Sequence, residues 1–186
     1  MMQQPKEWHR QAGDQTFTIS TSPDLLSRPF IHAAFASPVT FWAKPVSPAV
    51  LDTMISTSLF FGLYLQDPAA SHTTAEPTTI TGPHLQQIGM ARLVTDCATT
   101  AFLTDVYVAP EHQGKGLAKW LLRCVKECTD ALPAPRRAVM LMARNEGRAT
   151  RFYADALGVG VHDQEGAGVV FMSSGFAGLD DDGAGV

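Results

Sequence analysis

The stretch Gln113-Gly114-Lys115-Gly116 joins a clear strand pattern to the best amphipathic helix in the chain, and this junction limits the possible folds more than any other feature. Upstream, Thr100 to Val108 is β-branched and apolar, which predicts a strand ending at Ala109-Pro110. Downstream, Leu117, Leu121, Cys124, Val125, Cys128 and Leu132 recur at the 3.6-residue period, and Lys119, Arg123 and Lys126 lie off that stripe. Pro133 and Pro135 end the helix. Glycines at a helix start clear side chains away from the first-turn N–H groups, which have no partners within the helix. The positive end of the helix dipole adds to this, so the junction predicts a phosphate cradle, with Lys115 either adding charge or pointing to water. A strand feeding a helix in this way implies helices packed on a sheet.

The flanking elements extend that picture. Thr16 to Ser20 reads as a first strand, and Ser22-Pro23-Asp24 supplies turn and cap chemistry. Leu25, Leu26, Phe30, Ile31, Ala34 and Phe35 then predict a helix whose first turn is unsettled by Pro29. A Pro-rich connector, Ser37 to Pro48, leads to a second helix from Ala49 to Ser58 and a strand from Leu59 to Leu65. Residues 67–84 are rich in Thr, Ala, Pro and Ser without periodicity and predict a long surface loop. Gln86 to Thr95 and Thr100 to Val108 form two strands. Ala138 to Ala143 reads as a strand buried on both faces, Arg148 to Leu157 as a helix stopped at Gly158, and Val169 to Ser173 as a last strand. The order β-α-α-β-β-β-α-β-α-β predicts one domain over residues 16–173, between flexible segments at 1–15 and 174–186.

Composition narrows the function classes. At 186 residues and 45% hydrophobic, the chain suits a single domain with a real core. No run approaches the roughly 18–20 apolar residues of a spanning helix, which argues against a membrane protein. The net charge of -4 comes without any face-sized basic cluster, so long nucleic acid is not an expected partner. MMQQPKEWHR lacks the apolar core of a secretory signal, which makes a cytoplasmic address the default, with the nucleus left open. Three cysteines argue against a disulfide framework, and Cys124 and Cys128 read as buried thiols on one helix face. The six histidines, at 9, 32, 72, 84, 112 and 162, show no ligand spacing, and no metal is expected. His112 is expected to be exposed.

Other phosphate loops fit poorly. A Walker loop needs Ser or Thr after its lysine, where this chain has Gly116, and a dinucleotide fingerprint needs a small residue where Lys119 stands. What remains is Gln113-Gly114-Lys115-Gly116-Leu117-Ala118 after a Val-x-Val strand. This resembles the Gln/Arg-x-x-Gly-x-Gly/Ala motif of the GNAT superfamily of acyl-CoA-dependent N-acyltransferases. The likeness extends to Trp42-Ala43-Lys44, to Ile88 through Asp96 and to Asn145 through Gly158, and looks nearest to small microbial and fungal members. It implies an α/β (α+β) fold: a mixed, mostly antiparallel central sheet flanked by helices and splayed between its fourth and fifth strands.

The same resemblance implies acetyl-CoA as cosubstrate. Gln113, Gly114, Lys115, Gly116, Leu117 and Ala118 would hold its pyrophosphate, and Val106, Tyr107 and Val108 would lie along the pantetheine arm, with Asn145 as a further contact. A backbone N–H near Val108 would stabilise the oxyanion. Tyr153 matches the tyrosine that protonates the departing thiolate in the family; the alternative is a core residue beside Phe152. Asp105 is either the base for the incoming amine or a structural carboxylate. A regular strand would set Leu103, Asp105 and Tyr107 on one face, but a bulge, common in the family, would break that pattern. Phe41, Trp42 and Tyr64 are candidate walls of the acceptor site or simple packing. The expected reaction is direct attack by a small-molecule primary amine in a ternary complex, and a homodimer is allowed. The competing readings are a non-catalytic acyl-CoA sensor and an enzyme acting on protein or histone tails.

Overall fold

The computed structural model describes residues 4–40, 42–67, 84–132, 138–143 and 147–161. Its frame is a six-stranded sheet in the order β1-β2-β3-β4-β5-β6. The strands are β1 (Glu7–Ala12), β2 (Gln15–Ser20), β3 (Leu59–Asp67), β4 (His84–Thr95), β5 (Thr100–Val108) and β6 (Ala138–Leu141). Neighbours from β1 to β5 are antiparallel, and β6 runs parallel to β5.

The loose N-terminal segment expected at residues 1–15 is corrected here. Trp8 and Ala12 alternate inward onto the core, and Gly13, at φ 59, turns the chain through Gly13-Asp14 into β2. That is two-residue hairpin chemistry, with glycine taking the positive φ the turn requires.

Among the described residues, four α-helices cover the sheet: α1 (Arg28–Ala36), α2 (Pro48–Thr57), α3 (Leu117–Asp130) and α4 (Gly147–Leu157). The Pro29 conflict resolves because the helix begins later than expected. Pro23–Leu25 is a short 3-10 turn, Ser27 caps α1 by accepting from the Phe30 N–H, and Pro29 falls in the first turn, where its missing N–H is harmless. Ser47 and Pro48 start α2 by the same chemistry.

The two sheet faces carry separate cores. Phe17, Ile19, Phe61, Leu63, Leu93 and Leu103 meet Leu117, Leu121, Leu122 and Val125 of α3 and Ala156 and Leu157 of α4. On the other face Phe60 and Met90 meet Ile31 and Phe35 of α1 and Leu51 and Ile55 of α2. Each large side chain fully buried in this way contributes about 1.5–3 kcal/mol.

Two features of β6 bear on the site. Its pairing with β5 covers Thr100↔Ala138 to Leu103↔Leu141, while β5 continues alone to Val108, so the sheet opens between them. The run also departs from the doubly buried strand expected at 138–143. Val139 and Leu141 pack on the α3–α4 core, whereas Met140, on the opposite face, is 43% exposed. The expected strand at 169–173, the C-terminal tail and the body of the 67–84 loop lie outside the described residues; the ends of that loop, Asp67 and His84, pair as the last rung of β3 and β4.

Candidate active site

The open end of β5 is shaped by a bulge. Met90 pairs with Tyr107 and Arg92 with Thr104, so Ala91 alone faces both Asp105 and Val106. Asp105 takes φ 52, a left-handed conformation that Asp tolerates better than most residues. The extra residue breaks the alternation expected of a regular strand. Leu103, Val106 and Val108 all turn to the α3–α4 core, while Tyr107 turns the other way and packs 6.1 Å from Phe30.

Beyond Val108 the chain forms the predicted cradle. The Gln113 side chain donates to the Val108 carbonyl at 2.9 Å and ties the loop to the strand end. Gly114 and Gly116 sit at φ 79 and 71, and Gly116 is the N-cap of α3. The Trp120 N–H makes a helical bond to the Gly116 carbonyl, which leaves the N–H groups of Leu117, Ala118 and Lys119 without helical partners. A Cβ at Gly114 would meet nothing within 4 Å, so glycine is required there for its φ and the space above it is open.

These groups line a cleft of about 380 Å³ with Val106, Val108, His112, Arg148, Phe152 and Tyr153. The sequence-predicted residues Val106, Val108, Gln113, Gly114, Gly116, Leu117, Ala118 and Tyr153 therefore share one volume. Lys115 does not line it; its ammonium donates to Gln15 Oε1 at 3.0 Å. Tyr107 does not line the cleft, its side chain packing toward Phe30 instead, and Asn145 and Phe41 lie outside the described residues.

Tyr153 stands edge-on to Phe152, with ring centroids 5.3 Å apart. Burial raises its phenol above the ordinary value, so the hydroxyl keeps its proton across the neutral range. His112 corrects the expectation of exposure: it is half-buried, and its Nδ1 is enclosed without a hydrogen-bond partner among the described residues. Tyr64 is likewise not an open acceptor wall. It is 1% exposed and folds over Gly62, while Trp42 remains 40% exposed. Asp105 is 5% exposed and accepts from Arg92 Nε at 2.6 Å and Thr104 Oγ1 at 3.2 Å.

The sequence reading did not identify the groups that support the cradle from β1. Arg10 donates to the Gly116 carbonyl at 3.4 Å and lies 6.0 Å from the Trp120 ring, and Trp8 donates to Glu127 of α3 at 2.9 Å. The signal was the Trp8-Arg10-Ala12 alternation before Gly13-Asp14. Cys124 and Cys128 are buried thiols in α3, away from the cleft, and Cys97 is exposed in the β4–β5 turn.

A cleft between a strand end, a glycine-rich helix start and a protonated tyrosine suits transfer of an acyl group from a phosphate-bearing carrier, and comparison with known proteins agrees. A family model described as acetyltransferase (GNAT) domain matches residues 84–156. A Gibberella zeae protein named "Putative acetyltransferase FG08082" is 34% identical over 137 residues, covering 74% of this chain and 75% of that one. A GNAT-family acetyltransferase structure from Xanthomonas campestris pv. campestris is 28% identical with TM-score 0.63, covering 88% of this chain and 95% of the other. A Deinococcus radiodurans structure shares the fold at 18% identity and TM-score 0.52, over 89% of this chain and 92% of the other. The family match lies over β5, the cradle and the Tyr153 helix, the same residues that build the cleft, and the chain belongs to the GNAT acetyltransferase superfamily.

Proposed function

We propose that this acetyltransferase moves an acetyl group from acetyl-CoA to the primary amine of a small molecule, by direct attack within a ternary complex. The observation that carries the reading is the shared cleft: free helix-start N–H groups, the Val106–Val108 strand end and the Tyr153 hydroxyl line one volume. The residues present fit the carrier. The amides of Leu117, Ala118 and Lys119, which have no helical partners, together with the open space over Gly114, suit a pyrophosphate. Arg148 and Lys119 at the cleft add positive charge.

Bound acetyl-CoA supplies the activated thioester, and the chain supplies the environment. Past Leu103, β5 stays paired with β4 but has no partner on its β6 side among the described residues, so that backbone edge is open to an extended arm lying beside it. A backbone N–H near Val108 would stabilise the negative charge that grows on the thioester carbonyl oxygen. Tyr153 holds a proton that burial keeps in place and delivers it to the departing sulfur. Cys124 and Cys128 take no part, because burial pushes both thiols up and away from the reactive thiolate, Cys124 to about 12. A small neutral acceptor is supported by the modest net charge of -4, part of which belongs to Asp180, Asp181 and Asp182 near the C-terminus.

The test is thiol release over a panel of small amines, with acetyl-CoA binding measured by calorimetry. Tyr153→Phe is expected to lower kcat by about 100-fold or more and leave acetyl-CoA affinity unchanged. Because the phenol is raised, the wild-type kcat should show no Tyr153-dependent alkaline limb below about pH 10. Full activity in Tyr153→Phe would remove the proton-donor role. Binding without thiol release across the panel would favour a sensor.

A further inference from the structure

The bulge in β5 decides which backbone groups face the cleft, and something must hold it. Its central residue is a non-glycine at φ 52, a conformation that persists only where surrounding contacts enforce it. The contact here is a buried ion pair across the strands. Arg92 Nε lies 2.6 Å from Asp105 Oδ2, with the Arg92 side chain 17% exposed and that of Asp105 4%. Thr104 Oγ1 donates to the other carboxylate oxygen, and the Arg92 guanidinium carbon lies 5.9 Å from the Phe60 ring centroid, on the α1–α2 side.

We propose that Arg92 is a positioning residue for acyl transfer: through Asp105 it pins the β5 bulge that turns Val106 and Val108 into the cleft. This rests on the acetyltransferase reading of that cleft. Without the pin, β5 can relax toward a regular ladder against β4, and a one-residue slip sends every following side chain to the opposite face. Val106 and Val108 would then leave the cleft, and the amides between them would turn with the strand. The pair also assigns Asp105 its role. Both carboxylate oxygens are engaged by Arg92 and Thr104, and a proton placed there would leave the half-buried Arg92 without its counter-ion. Asp105 therefore acts on the backbone, and the amine loses its proton elsewhere.

The experiment compares wild type with Arg92→Gln, Asp105→Asn, the double variant and Arg92→Lys. Backbone amide NMR of residues 104–108 is read in the free protein and with acetyl-CoA. Rates use the most active amine of the panel. Either single change is expected to shift the 104–108 amides in the free protein and to lower kcat/KM by on the order of 10- to 100-fold. The double variant should lose no more than the worse single, since each breaks the same lock. Arg92→Lys, which keeps the charge but not the planar fork, should recover part of the rate. The acidic limb of the kcat/KM profile should survive in Asp105→Asn. Should a single variant fail to fold with one charge stranded, the double variant leaves no buried charge and carries the same comparison.

Unchanged 104–108 amides in Arg92→Gln would overturn the inference whether or not acetyl-CoA binds. Loss of the acidic limb in Asp105→Asn, with Arg92→Gln near the wild-type rate, would overturn it in favour of Asp105 as the base. Failure of wild type to bind acetyl-CoA would instead defeat the underlying reading of the cleft, while the free-protein amides still decide the bulge.

Discussion

Tyr64 dictates the glycine two residues before it. A Cβ at Gly62 would lie 2.1 Å from the Tyr64 hydroxyl and 2.5 Å from its Cζ, and the ring, 1% exposed, has no room to retreat. Gly62→Ala is therefore expected to destabilise the protein by about 1–3 kcal/mol, seen as a lower urea midpoint with an unchanged slope. Among the described residues the Tyr64 hydroxyl is buried without a partner, so Tyr64→Phe should be neutral or stabilising in the same measurement. A large loss in Tyr64→Phe would mean that the hydroxyl does have a partner. At this scale the sequence was informative where chemistry is local. Gln113, Gly114 and Gly116 stand at the strand end and helix start that their types require. Tyr64 was read as either a wall or simple packing, and the packing reading holds; nothing in its sequence neighbours tells that its ring lies over Gly62 inside a sheet.

At the scale of elements, Thr100 to Val108 was legible to the residue, since its composition and the flanking turns are local signals. Its facing was not, because the bulge depends on Arg92, thirteen residues away across the ladder. The β1–β2 hairpin was missed for a related reason. Glu7, His9 and Gln11 make the segment look polar, and its inward residues gain meaning only against Phe61 and Trp120. β4 exerts a second control on β5 through Gly89, which pairs with Val108. A Cβ there would lie 2.9 Å from the Tyr107 carbonyl oxygen and 3.0 Å from Leu63 Cδ2. Backbone cannot swing aside as a side chain can, so Gly89→Ala should push β5 away from β4 at the cleft. A loss of about 1–3 kcal/mol in stability is expected. Acetyl-CoA affinity, measured by calorimetry on the folded variant, should fall with it, and unchanged affinity would show that the cleft tolerates the displacement.

For the whole molecule, modest net charge and a phosphate cradle are compatible because backbone N–H groups can hold the anion. The same economy of charge leaves weak acids inside the fold, and they set its response to alkali. Burial raises Cys124, with an ordinary value of 9.0, to about 12, and raises Cys128, Tyr64 and Tyr153 as well. Each of these groups keeps its proton in the folded state at a pH where the unfolded chain has released it. The unfolded state then binds fewer protons, and the unfolding free energy falls as pH rises. Below the ordinary thiol value both states are protonated and the effect vanishes. Stability should thus be flat with respect to these groups from pH 6 to about 8. It should then decline from about pH 9 as the thiols titrate in the unfolded chain, and more steeply past about pH 10 when the phenols join. Each fully released group adds a slope of about 1.4 kcal/mol per pH unit. Urea unfolding across this range, repeated with Cys124→Ala and Cys128→Ala combined, separates the contributions. The double variant should delay the onset by about one pH unit, toward the tyrosine range, whereas an unmoved onset would place the alkaline sensitivity in groups other than the α3 thiols.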